Sequence, residues 1–169
     1  MIGLIEPHGG KLVNRILEGK ERDTLTEKTK KMKKVTLNDR EVSDLEMIAI
    51  GAFSPIEGFM KHADYNSVMD NMKLSNGLPW TIPITLSVTK DEANNLKEGE
   101  DVSLTNKKGE ILAVLHIEEK HKHDKEKEAL EVYGTRDMAH PGVAKVFEMG
   151  DILLGGRVSV IHRVKQENF

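Results

Sequence analysis

Seven histidines and no cysteine set the range of chemistry open to this chain. Without a thiol there is no disulfide, no thiolate nucleophile and no thiolate metal ligand. Three of the histidines, His116, His121 and His123, cluster among Glu118, Glu119 and Asp124. Imidazoles and carboxylates together suit a borderline or hard cation, and on a strand the His121-x-His123 spacing puts both rings on one face. The stretch from His116 to Lys127 also reads as a hydrophilic loop of solvated side chains, and no metal site is expected of it. Ser54 stands in Gly51-Ala52-Phe53-Ser54-Pro55. A serine nucleophile sits on a sharp strand-to-helix elbow, whereas Pro55 makes a rigid turn, so Ser54 is expected to be structural. The candidate for holding an oxyanion is Thr135-Arg136-Asp137 with His140 close by, Arg136 contributing its planar fork of donors. On the alternative reading Asp137 pairs with Arg136 or caps a turn, and His140-Pro141-Gly142 is only a tight corner. The glycine pairs 9–10 and 155–156 lack the spacing, the trailing lysine and the third glycine of phosphate loops, and are read as turns or bulges.

These residues depend on the elements that carry them. The first forty residues read as an arm, with turn chemistry at Pro7-His8-Gly9-Gly10 and roughly helical spacing of Leu12, Ile16 and Leu17. From Glu18 to Lys34 the chain is dense in charge, either a docked, solvated excursion or a mobile loop. Its lysines, Lys28, Lys30, Lys31, Lys33 and Lys34, offer an anion or nucleic-acid patch, but a charge run of this kind is ordinarily a solvated face. Ser43-Asp44-Leu45-Glu46 has the form of a capping box and predicts a helix that stops at Gly51. A second helix is predicted from Asp64 through Met72, before a turn at Asn76-Gly77. Ile82 to Val88 alternates as a strand, and Val102–Thr105 and Ile111–Ile117 flank a hairpin turn at Asn106 to Gly109. A helix from Asp124 to near Gly134 follows, and a last strand covers 157–164 behind Gly155-Gly156. Short strands with a few short helices predict a small, β-rich α+β barrel without repeats.

Composition narrows the function classes. Of 169 residues 38% are apolar, enough for one sizeable core and too few for a disordered polymer. No apolar run approaches the length of a membrane span. A net charge of −3 argues against a surface built for phosphate backbones. The N-terminus lacks a basic stretch followed by an apolar one, so no secretory signal is read there, and a cytoplasmic location is expected.

Several strings in order resemble the N-terminal part of the ATP sulfurylases, the sulfate adenylyltransferases. They are Pro7-His8-Gly9-Gly10-x-Leu12, the run from Asp44 to Pro55 leading to Glu57-Gly58-Phe59-Met60, Asn76 to Ile84, Tyr133-Gly134-Thr135-Arg136-Asp137, His140-Pro141-Gly142-Val143 and Leu154-Gly155-Gly156. The charged stretch 18–34 is the loosest part of the match. The resemblance implies that residues 1–169 are a single PUA-like pseudo-barrel with short peripheral helices, including the arm 1–40. It implies a parent activity that joins the adenylyl group of ATP, with Mg, to sulfate, giving adenosine 5′-phosphosulfate and pyrophosphate. In that family the converging Arg, His and backbone donors sit in a Gln-x-Arg-Asn-Pro segment and a His-x-x-His segment on a following α/β domain. Neither segment occurs in these 169 residues, whose one glutamine is Gln166. No catalytic residue therefore carries over, and the chain alone is expected to be inactive. The expected partners are the catalytic domain and further copies of the complete enzyme, with no membrane and no nucleic acid; no cofactor is expected in this chain. A stand-alone PUA-like RNA-binding module is the alternative, and sulfate held by Arg136 and His140 for regulation is a third reading.

Overall fold

The computed structural model describes residues 3–164; residues 1, 2 and 165–169, Gln166 among them, lie outside the description. In chain order the elements are α1 (Gly19–Thr29), β1 (Lys34–Thr36), α2 (Asp39–Ala49), β2 (Gly58–Phe59), α3 (His62–Asn71), β3 (Ser87–Val88), α4 (Lys90–Asn94), β4 (Asp101–Thr105), β5 (Ile111–His116), β6 (Glu119–Lys122), α5 (Lys125–Tyr133), α6 (Pro141–Glu148) and β7 (Ile152–Val160). They fall into two compact units: the first takes residues up to Gly58, Asp101–His116 and the chain from Arg157, the second Phe59–Glu100 and Ile117–Gly156.

In the first unit β1 runs parallel to β4, β4 pairs antiparallel with β5, and β5 pairs antiparallel with the end of β7, Ala113 opposite Val160. The β4–β5 hairpin forms where the turn chemistry predicts it. The Asn106 side-chain oxygen accepts from the Lys108 and Glu110 amides, and Gly109 takes φ +83°. Leu112 to Leu115 are buried on both faces, which explains an unbroken apolar run where a half-exposed strand would alternate. Helix α2 begins earlier than the Ser43 box predicts. Asn38 caps it, accepting from the Glu41 amide at 2.8 Å, while the Glu41 carboxylate takes the Asn38 N–H at 3.0 Å. Two boxes of the same spacing stand five residues apart; the earlier one forms, and Glu46 accepts instead from Arg163 at 2.6 Å. Gly51 ends the helix at φ +83°, and a Cβ there would lie 2.3 Å from the Val13 carbonyl oxygen.

The N-terminal segment is extended, not helical as the spacing of Leu12, Ile16 and Leu17 suggested. Arg15 N–H donates to Ala49 O, Val160 N–H to Arg15 O and Leu17 N–H to Val160 O, so the segment satisfies the edge of β7. Its buried apolar residue is Val13, while Leu12 stays mostly exposed. Within the charged stretch 18–34, residues 19–29 form the helix α1 with Thr29 buried, while Lys28, Lys30, Lys31, Lys33 and Lys34 are all exposed, the last four beyond the helix and Lys34 at the start of β1.

In the second unit the first half of β7 pairs antiparallel with β3 on one side (Leu153 with Ser87) and β6 on the other (Leu153 with His121). The last strand thus starts at Ile152, and Gly155-Gly156 lie inside it, not in a turn before it. A Cβ on Gly155 would stand 2.7 Å from Met60 O and 2.8 Å from Lys61 Cα, so this glycine marks a close backbone approach. Of the predicted strand 82–88 the ladder keeps Ser87–Val88; Ile84 O and Leu86 O still accept from the Met60 and Leu154 amides. Helix α3 starts at His62, because the Asp64 carboxylate serves the Ser75 amide (2.8 Å) and hydroxyl (2.6 Å) and caps nothing. Helix α5 has the predicted ends, Asp124 as cap and Gly134 at φ +71°. The expected loop after His116 contains the strand β6.

Candidate functional site

Strand β6 and the start of α5 gather an unusual density of titratable groups in the second unit. Tyr65 on α3, His123 and Glu128 are all buried. The Tyr65 hydroxyl donates to Glu128 Oε2 at 3.0 Å, and His123 Nε2 meets the same oxygen at 2.5 Å. His123 Nδ1 reaches Gly150 O at 3.1 Å, so both its ring nitrogens are engaged by oxygens. Burial and the Glu128 carboxylate push the Tyr65 hydroxyl far above the ordinary tyrosine range. The trio is closed to solvent and each member is spent on another, which makes it a polar brace of the core.

His121 lies beside it, its ring 5.5 Å from Tyr65 and 8% exposed. Its Nε2–H donates to Met60 O at 3.1 Å, while Nδ1 is buried without a hydrogen-bond partner. Burial lowers its pKa below the usual imidazole range, against the opposing pull of the Met60 carbonyl and Glu119. The His62 ring approaches edge-on at 5.6 Å. Glu119 Oε1 accepts the His62 backbone N–H at 2.9 Å, an acid at the start of α3 where exposed amides favour it. One ligand atom from each of His62, Glu119 and His121 lies within 4.8 Å of the other two.

The histidine cluster read from the sequence therefore divides differently. His121 and His123 do face one side, both ringing Tyr65, but they are buried, not solvated in a loop. His116 belongs to the first unit, with Nδ1 on Asp101 at 2.6 Å and Nε2 on Ser159 at 3.2 Å. The residue that joins His121 and Glu119 is His62, some sixty residues earlier, which no local pattern reveals. Arg136 and His140 are both exposed on the segment between α5 and α6. Arg136 makes no hydrogen bond or ion pair among the described residues. His140 caps α6, its Nδ1 accepting from the Gly142 amide at 3.1 Å, and its ring packs 5.1 Å from Tyr133. Asp137 caps its own turn, accepting from the Ala139 amide at 2.9 Å. Ser54 is buried, accepting from Val13 N–H at 2.9 Å and donating to Gly51 O at 2.6 Å, so its hydroxyl is spent on two backbone groups as a structural bridge. In the first unit a cleft of about 590 Å³ is lined by Asp39, Lys107, Lys108, Glu110 and His162, with Lys107 paired to Asp39 at 3.0 Å.

Residues 5–163 match the PUA-like domain family, and the chain belongs to that family, an α+β fold. The sulfate adenylyltransferase of Halothermothrix orenii is 49% identical over 167 residues, 98% of this chain and 44% of that enzyme. That of Nostoc punctiforme is 47% identical over 98% of this chain and 42% of its own. Among solved structures, the hexameric APS kinase from Thiobacillus denitrificans shares 27% identity and a TM-score of 0.75, over 98% of this chain and 28% of that one. This chain thus spans less than half the length of the relatives it matches.

Proposed function

We propose that this chain is the PUA-like, N-terminal part of a sulfate adenylyltransferase and that its own role is to scaffold the catalytic part. The carrying observation is the 49% identity to the Halothermothrix orenii enzyme along nearly the whole chain, in a match that takes in only 44% of that enzyme. The chemistry agrees. Sulfate is a poor nucleophile that must approach an anionic triphosphate, so the reaction needs several cationic and N–H donors converging on the α-phosphate. Among the described residues Arg136 and His140 stand exposed, and the lysines of α1 are spread on a solvated face. The convergence is therefore assigned to the rest of the enzyme, which would bind ATP with Mg.

Leu4 and Ile5 are almost fully exposed, and Met72, Ile82 and Met138 are more than half exposed. Leu4 and Ile5 lie in the first unit and the three others in the second, and apolar side chains of this kind in each suit surfaces completed by the catalytic domain or by another subunit of an oligomer. The setting we assign is sulfate assimilation in the cytoplasm; no helix among the described residues is long and apolar enough to cross a membrane. The test is synthesis of ATP from adenosine 5′-phosphosulfate and pyrophosphate by the purified chain. We expect none above the blank; turnover that survives repurification would overturn the scaffold reading. Salt-sensitive RNA binding at micromolar protein would favour an RNA-binding module instead.

A further inference from the structure

From His62, Glu119 and His121 we infer that the second unit holds a site for one divalent cation of the zinc, cobalt or nickel type. Two imidazoles and a carboxylate are a donor set for such ions, with water completing the shell. Their ligand atoms already lie within 4.8 Å of one another. Tetrahedral coordination with bonds of roughly 2.0–2.2 Å needs separations of about 3.3–3.6 Å, so the three need draw in by no more than about 1.5 Å.

The trio is built to allow that. His121 is the fixed member: nine-tenths buried on β6, with Nε2–H held by the Met60 carbonyl. A backbone carbonyl on one ring nitrogen is the usual device for presenting the other as a lone pair. Here that other nitrogen, Nδ1, is buried with nothing to accept from, an unpaid polar atom that a cation would satisfy. Glu119 is the semi-fixed member, one oxygen anchored on the His62 amide. His62 is the mobile member: exposed at the first residue of α3, it can swing once it releases Asn66, which meets its Nε2 at 2.8 Å. His123 takes no part, since both its nitrogens are engaged. The site lies outside the sulfate chemistry proposed above and is a structural clip of α3 to β6, both in the second unit.

The experiment uses the whole 169-residue chain, stripped with EDTA and titrated with Co²⁺ and then Zn²⁺. We expect one equivalent of Co²⁺ with the visible absorption of low-coordinate cobalt, displaced by Zn²⁺. Zn²⁺ should raise the melting temperature and should shift the His121 ring-nitrogen resonances in the unaltered protein. His62→Ala and Glu119→Gln should each weaken Co²⁺ binding about tenfold or more, and His162→Ala should leave it unchanged. Absence of stoichiometric binding, or binding unchanged in both variants with His121 resonances unmoved, would overturn the site and mark any uptake as adventitious. The nitrogen resonances decide the matter even if a variant fails to fold.

Discussion

Removing the Glu128 carboxylate is the sharpest test of how the second unit is held together. Glu128 is 4% exposed and is the shared acceptor of the Tyr65 hydroxyl at 3.0 Å and His123 Nε2 at 2.5 Å. Glu128→Ala leaves two buried donors facing a gap. An unsatisfied buried donor costs about 1–3 kcal/mol, and breaking a buried ionisable pair about 3–5 kcal/mol, so the loss should total about 3–5 kcal/mol. The Tyr65 hydroxyl recovers little, since its remaining contact, Asp124 O, lies at 3.5 Å. For a chain of this size each kcal/mol is worth roughly 2–4 °C, which gives a fall of about 6–20 °C in Tm. Tyr65→Phe removes one donor and leaves the His123–Glu128 contact in place, so it should cost only about 1 kcal/mol. In the double variant the Tyr65 donor is no longer stranded, and the two losses should fall short of additive by about 1 kcal/mol. Thermal and urea unfolding followed by circular dichroism give all three numbers. A Glu128→Ala protein melting within about 2 °C of the parent, or strict additivity, would refute the brace.

Three further outcomes follow from the first unit. Gly51→Ala must adopt φ +83° and place a Cβ 2.3 Å from Val13 O, and should cost about 2 kcal/mol or more in urea unfolding; a neutral variant would contradict the close packing there. Asn38→Ala removes the α2 cap and should cost about 1 kcal/mol by the same measurement, whereas Ser43→Ala should be nearly silent. Burial raises Asp44 from 3.8 to about 6, with Arg40 pulling the other way. The native state therefore holds the Asp44 proton where the unfolded chain has lost it, so stability falls as pH rises between about 4 and 6 and stays lower above that. Asp44→Asn should flatten this dependence and stabilise the protein at pH 7 by about 1–3 kcal/mol; an unchanged pH profile would refute it.

What the sequence showed was whatever local chemistry decides. The β4–β5 hairpin and the ends of α5 were legible because Asn106, Gly109, Asp124 and Gly134 each act within four residues of their own position. Ser54 was legible as structural because Pro55 limits its turn. Where two local signals competed, the choice was tertiary: Glu46 belongs to Arg163 and Asp64 to Ser75, and both helices start elsewhere than predicted. Gly155 looked like a turn because a glycine needed for a close approach to Met60 leaves no separate mark in the sequence. The segment from Leu12 to Leu17 is extended because the end of β7, paired with β5 on one side, takes Arg15 and Leu17 on the other, a fact visible only once β7 is placed. The histidine cluster was half seen: the alternation of His121 and His123 was readable, but His62 comes to Glu119 only through the packing of α3 beside β6.

The most direct test of the central claim is a chimera in which this chain replaces the matching segment of the Halothermothrix orenii sulfate adenylyltransferase, 167 residues at 49% identity. Sulfate-dependent release of pyrophosphate from ATP is the readout, with the unaltered enzyme beside it. The account predicts a folded chimera that turns over, while the isolated chain does not. A chimera that folds and assembles like its parent yet stays inactive would contradict it.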